Sequence, residues 1–170
     1  MPISWSVKSD GTLEAIATNL AKFPQWWPVV VREHFPPLGE RVSEVMRQVI
    51  EPHRYTGALS DSITSEYNDG EQSVSIFPTA MRGQYDAGQI LELGTRPIPN
   101  APYGPIAAWA DLKGLPAFPV WWKIRNEGVN AYPFLQDTLD AADEHINETM
   151  RRMLSQLVDS LLTGTGKIGT

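Results

Sequence analysis

Residues 133–162, PFLQDTLDAADEHINETMRRMLSQLVDSLL, decide how the rest of this chain has to be arranged. Leu135, Leu139, Ala142, Ile146, Met150, Met153, Leu157 and Leu161 recur three or four apart. That spacing sets them on one stripe of a 3.6-residue period and predicts a single amphipathic helix. Pro133 suits its first turn, having no N–H to leave unpaired, and biases Tyr132 towards extended backbone. Asp137, Asp140, Asp143 and Glu144 fall in the early turns, where the helix end favours negative charge; Arg151 and Arg152 come later. Gly164 and Gly166 end the run. A helix of this length spans about 45 Å, and its own hydrogen bonds do not hold it in place. Another layer, or a neighbouring subunit, has to cover its stripe.

The stretch before it reads as a small helical insert, about residues 102–128. One segment over 106–113 and another over 119–127 flank Gly114-Leu115-Pro116, and the second carries Trp121, Trp122 and Ile124. Residues 96–105 form a turn-rich, proline-rich loop. Further upstream the period changes to two. Residues 62–67 and 72–77 alternate as strands around Asn68-Asp69-Gly70, a short-range hairpin signal, and Pro78 ends the second. Residues 81–87 read as a third extended segment, and 89–93 as a short apolar element closing on Gly94-Thr95. Towards the N-terminus, Ile3, Trp5 and Val7 alternate as a short strand. Thr12 is placed to cap a helix over 13–22. Two more helices are expected over 24–33 and 37–50, broken by Pro36-Pro37. The expected architecture is α+β: a small antiparallel sheet packed against a long C-terminal helix, with N-terminal helices and the insert. Residues 1–162 read as one domain and 163–170 as a flexible tail.

Composition narrows the partners. There are 14 basic and 20 acidic residues, so nucleic acid is a poor ligand. Cysteine is absent, which excludes disulfides and thiolate chemistry. No apolar run approaches the roughly 20 residues that span a bilayer, and the first residues lack a basic stretch followed by a greasy one. A soluble protein made in a cytoplasm is expected.

Catalytic patterns are thin. His34, His53 and His145 are far apart, with no ligand spacing. Asp61, Glu66 and His53 could serve a metal-assisted hydrolase only by converging in a pocket. Gly164-Thr165-Gly166-Lys167 lacks the lead-in and the strand-to-helix setting of a phosphate loop. No cofactor, metal or catalytic residue is assigned. Trp26-Trp27 and Trp121-Trp122 stand out instead. Helix neighbours point about 100° apart, so either each pair spans two layers of its own fold or one member faces a neighbour. These four tryptophans and Arg96 are the candidate interface residues.

Three stretches, in order, resemble the small neck and tail-completion (tail-component) family of long-tailed bacteriophages. Tyr55-Thr56-Gly57-Ala58-Leu59-Ser60-Asp61-Ser62-Ile63 is similar to that family's Thr-Gly-x-Leu-x-x-Ser-Ile segment. Ile90, Glu92, Leu93, Gly94 and Thr95 follow its aliphatic–x–Glu–aromatic–Gly–Thr segment, with Leu93 in place of the aromatic. Ala131-Tyr132-Pro133-Phe134-Leu135 resembles the turn that opens its final helix, although Gln136-Asp137 replaces the usual Arg-Pro. The resemblance marks Thr56, Gly57, Leu59, Glu92, Gly94, Thr95, Pro133, Phe134 and Leu135 as structural anchors. It implies a non-enzymatic virion protein that forms a homo-oligomeric ring, a hexamer or dodecamer, at the neck or proximal tail. Such a ring joins a connector or terminator to tail-tube subunits, with DNA only as passing cargo and no membrane partner, and it is assembled in the host cytoplasm. A tail-tube terminator capping the last tube ring is the neighbouring alternative.

Overall fold

The structure, a computed structural model, describes residues 12–53, 57–82 and 85–164. The strand expected over Ile3, Trp5 and Val7, the anchor Thr56, and the tail beyond Gly164 lie outside those residues. Helix α1 (Thr12–Leu20) leads into α2 (Phe23–Ile50), which is followed by a 3-10 turn (Glu51–His53) and a single helical turn, α3 (Ala58–Asp61). Strands β1 (Ile63–Asn68) and β2 (Ser73–Pro78) form an antiparallel hairpin in which Ile63 pairs with Pro78 and Asn68 with Ser73. A minimal second hairpin, β3 (Met81–Arg82) with β4 (Tyr85–Asp86), runs into α4 (Ala87–Leu93). Helices α5 (Tyr103–Leu112) and α6 (Ala117–Asn126) make the insert, and α7 (Phe134–Thr163) closes the chain.

The expected architecture is observed: a small antiparallel sheet, N-terminal helices, a helical insert and a long C-terminal helix. Helix α2 is its middle. One side of α2 lies antiparallel along α7, with Val30 and Val31 against Met153 and Leu157 at one end. Leu38, Val42 and Val45 meet Ala142 midway, and Met46 and Ile50 surround Phe134 at the other end. The β1–β2 hairpin lies on α2 as well, and reaches the closing helix through shared clusters: Ile63 is buried with Phe134, and Ile76 packs on the cluster holding Ala142.

Two expectations are corrected. First, Pro36-Pro37 does not break a helix; Pro28, Pro36 and Pro37 all lie inside α2. A proline there removes the bond to the carbonyl four residues back, and for Pro36 and Pro37 those carbonyls belong to Arg32 and Glu33, both exposed. Solvent can satisfy them on that side, while Val30, Val31, Leu38 and Val42 keep both halves pressed onto one partner helix. Second, the inward stripe of α7 begins at Phe134, which is 2% exposed, and not at Leu135 (42%) or Leu139 (53%). Thr138 takes the next inward place because its hydroxyl donates to the Phe134 carbonyl at 2.7 Å, so the buried oxygen is satisfied. Buried Ser43 on α2 does the same with the Gly39 carbonyl at 2.8 Å. Within the segment expected to be extended, residues 81–82 and 85–86 are strands, paired with each other in a sheet of their own, and the short apolar element at 89–93 is part of α4, which Asp86 caps by accepting from the amides of Gly88 and Gln89. The helix end at Gly164 is as expected: φ is 65°, and its amide donates to the Ser160 carbonyl at 3.0 Å.

The hairpin turn spans four residues between Asn68 and Ser73, with Gln72 at φ 51° and the Asn68 side chain accepting from the amides of Gly70 and Glu71. Arg32 on α2 forks onto Asp69 at 2.9 and 2.7 Å and ties the turn down. Gly39 lets the strands lie on the helix. A Cβ there would come within 2.6 Å of the Val74 side chain and 3.0 Å of the Ser65 Cβ. Helix propensity favours Gly39→Ala by about 1 kcal/mol, but overpacking against a strand costs about 1–3 kcal/mol. A net loss of up to about 2 kcal/mol is expected in urea unfolding, and a gain would show that the hairpin can shift off α2 freely.

Candidate functional site

The three stretches that carry the family resemblance, far apart in sequence, meet at one place. Ile63 and Phe134 are buried together with Met46 and Ile50, and Leu59, Leu91 and Tyr132 pack on that cluster. Gly57, buried at φ 85°, opens the turn that presents Leu59. Glu92 accepts from the Leu135 amide at 3.1 Å, supplying a carboxylate to the N-terminus of α7, which has no side-chain cap from Pro133. Removing that acceptor with Glu92→Ala is expected to cost about 1 kcal/mol in thermal unfolding; an unchanged midpoint would deny the cap.

Gly94 and Thr95 close the base of the insert. The Thr95 amide donates to the Val129 carbonyl at 2.9 Å, and the Val129 amide donates to Thr95 Oγ1 at 3.0 Å. One step further in, the Ile98 amide donates to the Ile124 carbonyl at 3.2 Å, and on the other side the Tyr132 amide donates to Leu91 at 2.8 Å. The chain entering the insert therefore runs beside the chain leaving it.

Below the insert lies an apolar cavity of about 330 Å³, walled by Leu59, Leu91, Ile106, Trp109 and Ile124, with His53 at its edge. His53 is exposed and stacks on Tyr132, ring centroids 3.9 Å apart. Burial, and then Asp137, push the Tyr132 phenol above its usual range, so it stays protonated and neutral near pH 7. Asp61 ends α3 and Glu66 lies on β1, both exposed. Among the described residues no three His, Asp or Glu side chains form a group suited to a metal ion. His34 donates to Gln156 at 2.7 Å, and His145 is half-buried on α7.

The tryptophan pairs divide differently. Trp121 is half-buried and donates its indole N–H to the Ala101 carbonyl at 2.8 Å, with Tyr103 and Phe118 each 5.8 Å from its ring and the Arg125 guanidinium 5.2 Å away. Trp122 is 50% exposed, one turn along from exposed Phe118. Trp26 and Trp27 are both half-buried, Trp27 stacking on Phe23 against the Val30–Met153 cluster. Arg96 stands exposed at the base of the insert. Sequence reasoning did not single out the rest of the insert's outer face, Leu112, Leu115 and Phe118, all exposed beside Trp122 in sequence. The available signal was α6 itself, a ten-residue helix apolar on nearly every side with no buried residue.

Set against known proteins, the chain matches no family model, no curated relative and no solved structure.

Proposed function

We propose that this chain is a structural virion subunit of the head–tail junction of a tailed bacteriophage, one copy of a homo-oligomeric ring that completes the neck and joins connector to tail. The observation that carries the reading is the meeting of the three family-like stretches. Leu59 and Ile63 from the first, Leu91 and Glu92 from the second, and Tyr132, Phe134 and Leu135 from the third converge at the start of α7. The three stretches supply one shared core cluster, as the resemblance requires, and the step from that cluster to a neck subunit is made by family analogy.

The surface supports the same reading. Among the described residues, large apolar side chains stand exposed on α7 (Leu135, Leu139, Leu154, Val158 and Leu162) and on the insert (Leu112, Leu115, Phe118 and Trp122). A subunit whose insert and closing helix both keep large apolar side chains uncovered is built to meet neighbours. Among the described residues the cavity under the insert is walled mainly by apolar side chains, with His53 at its edge, and no set of converging polar groups lines it.

The test is negative-stain imaging with light scattering of the purified protein, alone and mixed with phage tail tubes. Closed rings, or binding to tube ends, are expected. A protein that stays monomeric and ignores tubes would overturn the proposal.

A further inference from the structure

The exposed apolar residues do not all lie in the same electrostatic surroundings. In the insert, Phe118 and Trp122 sit one turn apart on α6, with Leu112 at the end of α5 and Leu115 in the connection, 59%, 50%, 65% and 43% exposed. Over the insert, residues 102–128, the charges are Lys113, Lys123 and Arg125 against Asp111 and Glu127, a net of +1. The first half of α7 is the opposite. Leu135 and Leu139, 42% and 53% exposed, stand one turn apart, and Asp143 continues their row. Leu93, 66% exposed, follows Glu92, whose carboxylate holds the Leu135 amide. Over residues 134–150 the charges are Asp137, Asp140, Asp143, Glu144 and Glu148, with no lysine or arginine, a net of −5. All five carboxylates are exposed, and Glu148 is paired with Arg152 one turn further on.

One surface is thus apolar with a basic rim, the other apolar with an acidic rim, and in the single chain each stays uncovered, so neither covers the other. Resting on the ring reading above, we infer that the occupant of each is a second copy of this chain: the Phe118–Trp122 face of one subunit's insert docks on the Leu135–Leu139 face of the next subunit's α7. The contact is heterologous, using two different surfaces of the same chain, and such contacts propagate around an axis, closing into a ring where the rotation closes and running on as an open filament where it does not. The aromatic pair supplies the buried anchor. The opposed charges set the pairing, because like faces, insert on insert or α7 on α7, bring equal charges together.

The experiment uses three full-length chains in sedimentation velocity: the wild type, Trp122→Ala, and Asp140→Lys/Asp143→Lys. Both variants change exposed side chains, and far-ultraviolet circular dichroism is expected to show parent-like melting. Each alone is expected to lose the ring, with association weakened about 30-fold or more. Mixed in equal amounts they are expected to form a one-to-one heterodimer and stop there, because the mixture retains one intact pairing: the insert of the lysine variant on the α7 of the alanine variant. Lys123→Glu, which leaves the aromatic face untouched, is expected to weaken association several-fold at low salt and less at high salt. Wild-type rings together with variant rings, or a mixture that yields no heterodimer, would overturn this interface and leave the ring reading standing. A wild type that remains monomeric would remove both.

Discussion

Phe134→Ala is expected to destabilise the chain by about 3–5 kcal/mol, lowering the melting temperature by on the order of 10 °C. Phe134 is 2% exposed and is buried with three side chains from two other places: Met46 and Ile50 at the end of α2, and Ile63 at the start of β1. Leu59, Leu91 and Tyr132 close over the same cluster. Truncating the ring removes its transfer free energy and leaves a void that elements on four sides would have to collapse into together. The internal control is the next residue. Leu135, 42% exposed, is expected to change stability by less than about 0.5 kcal/mol when cut to alanine. Denaturant unfolding of the two variants side by side decides the matter. Equal losses would mean that the helix turns Leu135 inward and that the register assigned to α7 is wrong.

Gly94→Ala is expected to cost about 2–4 kcal/mol, with the damage concentrated at the base of the insert. Gly94 has φ 68°, and a Cβ on it would lie 2.4 Å from the Val129 carbonyl oxygen and 2.7 Å from the Ala131 amide nitrogen. Both obstacles are backbone, so no side-chain rotation relieves them. The strand of chain leaving the insert has to move away, and the paired bonds between Thr95 and Val129 go with it. Gly128 mirrors the arrangement from the other strand, at φ 91° and with a Cβ position 2.0 Å from the Thr95 carbonyl oxygen. Amide hydrogen exchange is the sharper readout. In Gly94→Ala the amides of Thr95, Val129 and Ile98 are expected to exchange faster, while those in the middle of α2 and α7 slow or hold relative to them. A variant that melts like the parent and keeps those amides protected would refute the close backbone approach.

The difference between these two sites illustrates how far the residues alone could be read. Gly94-Thr95 was recognisable as the end of a short element, but its partner, Val129, is 34 residues away from Thr95 and sits in a segment with no periodicity to flag it. The same holds for Glu92. Its place before Gly94 was visible, while its role as the missing cap of α7 depends on a fold that brings α4 to the Leu135 amide. Apolar spacing misplaced the stripe of α7 by one residue at its start because Thr138 and Ser160 count as polar in any pattern, yet both are buried. Prolines misled in the opposite direction. Pro36-Pro37 carries a strong local preference to stop a helix, and the burial of Val30, Val31, Leu38 and Val42 along one partner outweighs it. At the candidate interface, the adjacency of Trp121 and Trp122 left two readings open, a pair spanning two layers of its own fold or one member facing a neighbour. The structure leaves Trp122 exposed and holds the Trp121 indole N–H on the Ala101 carbonyl.

Local chemistry in the chain was sufficient for the long closing helix, its stop at Gly164, the β1–β2 hairpin and the two-helix insert, because each depends on periodicity or turn residues within a few positions. Only the tertiary structure decided that α2 is the shared middle layer, that Phe134 and not Leu135 is the anchor, and that the insert is clasped at Thr95 and Val129. Those outcomes rest on burial and on hydrogen bonds between residues tens of positions apart, whose free energies exceed the local preferences they overrule.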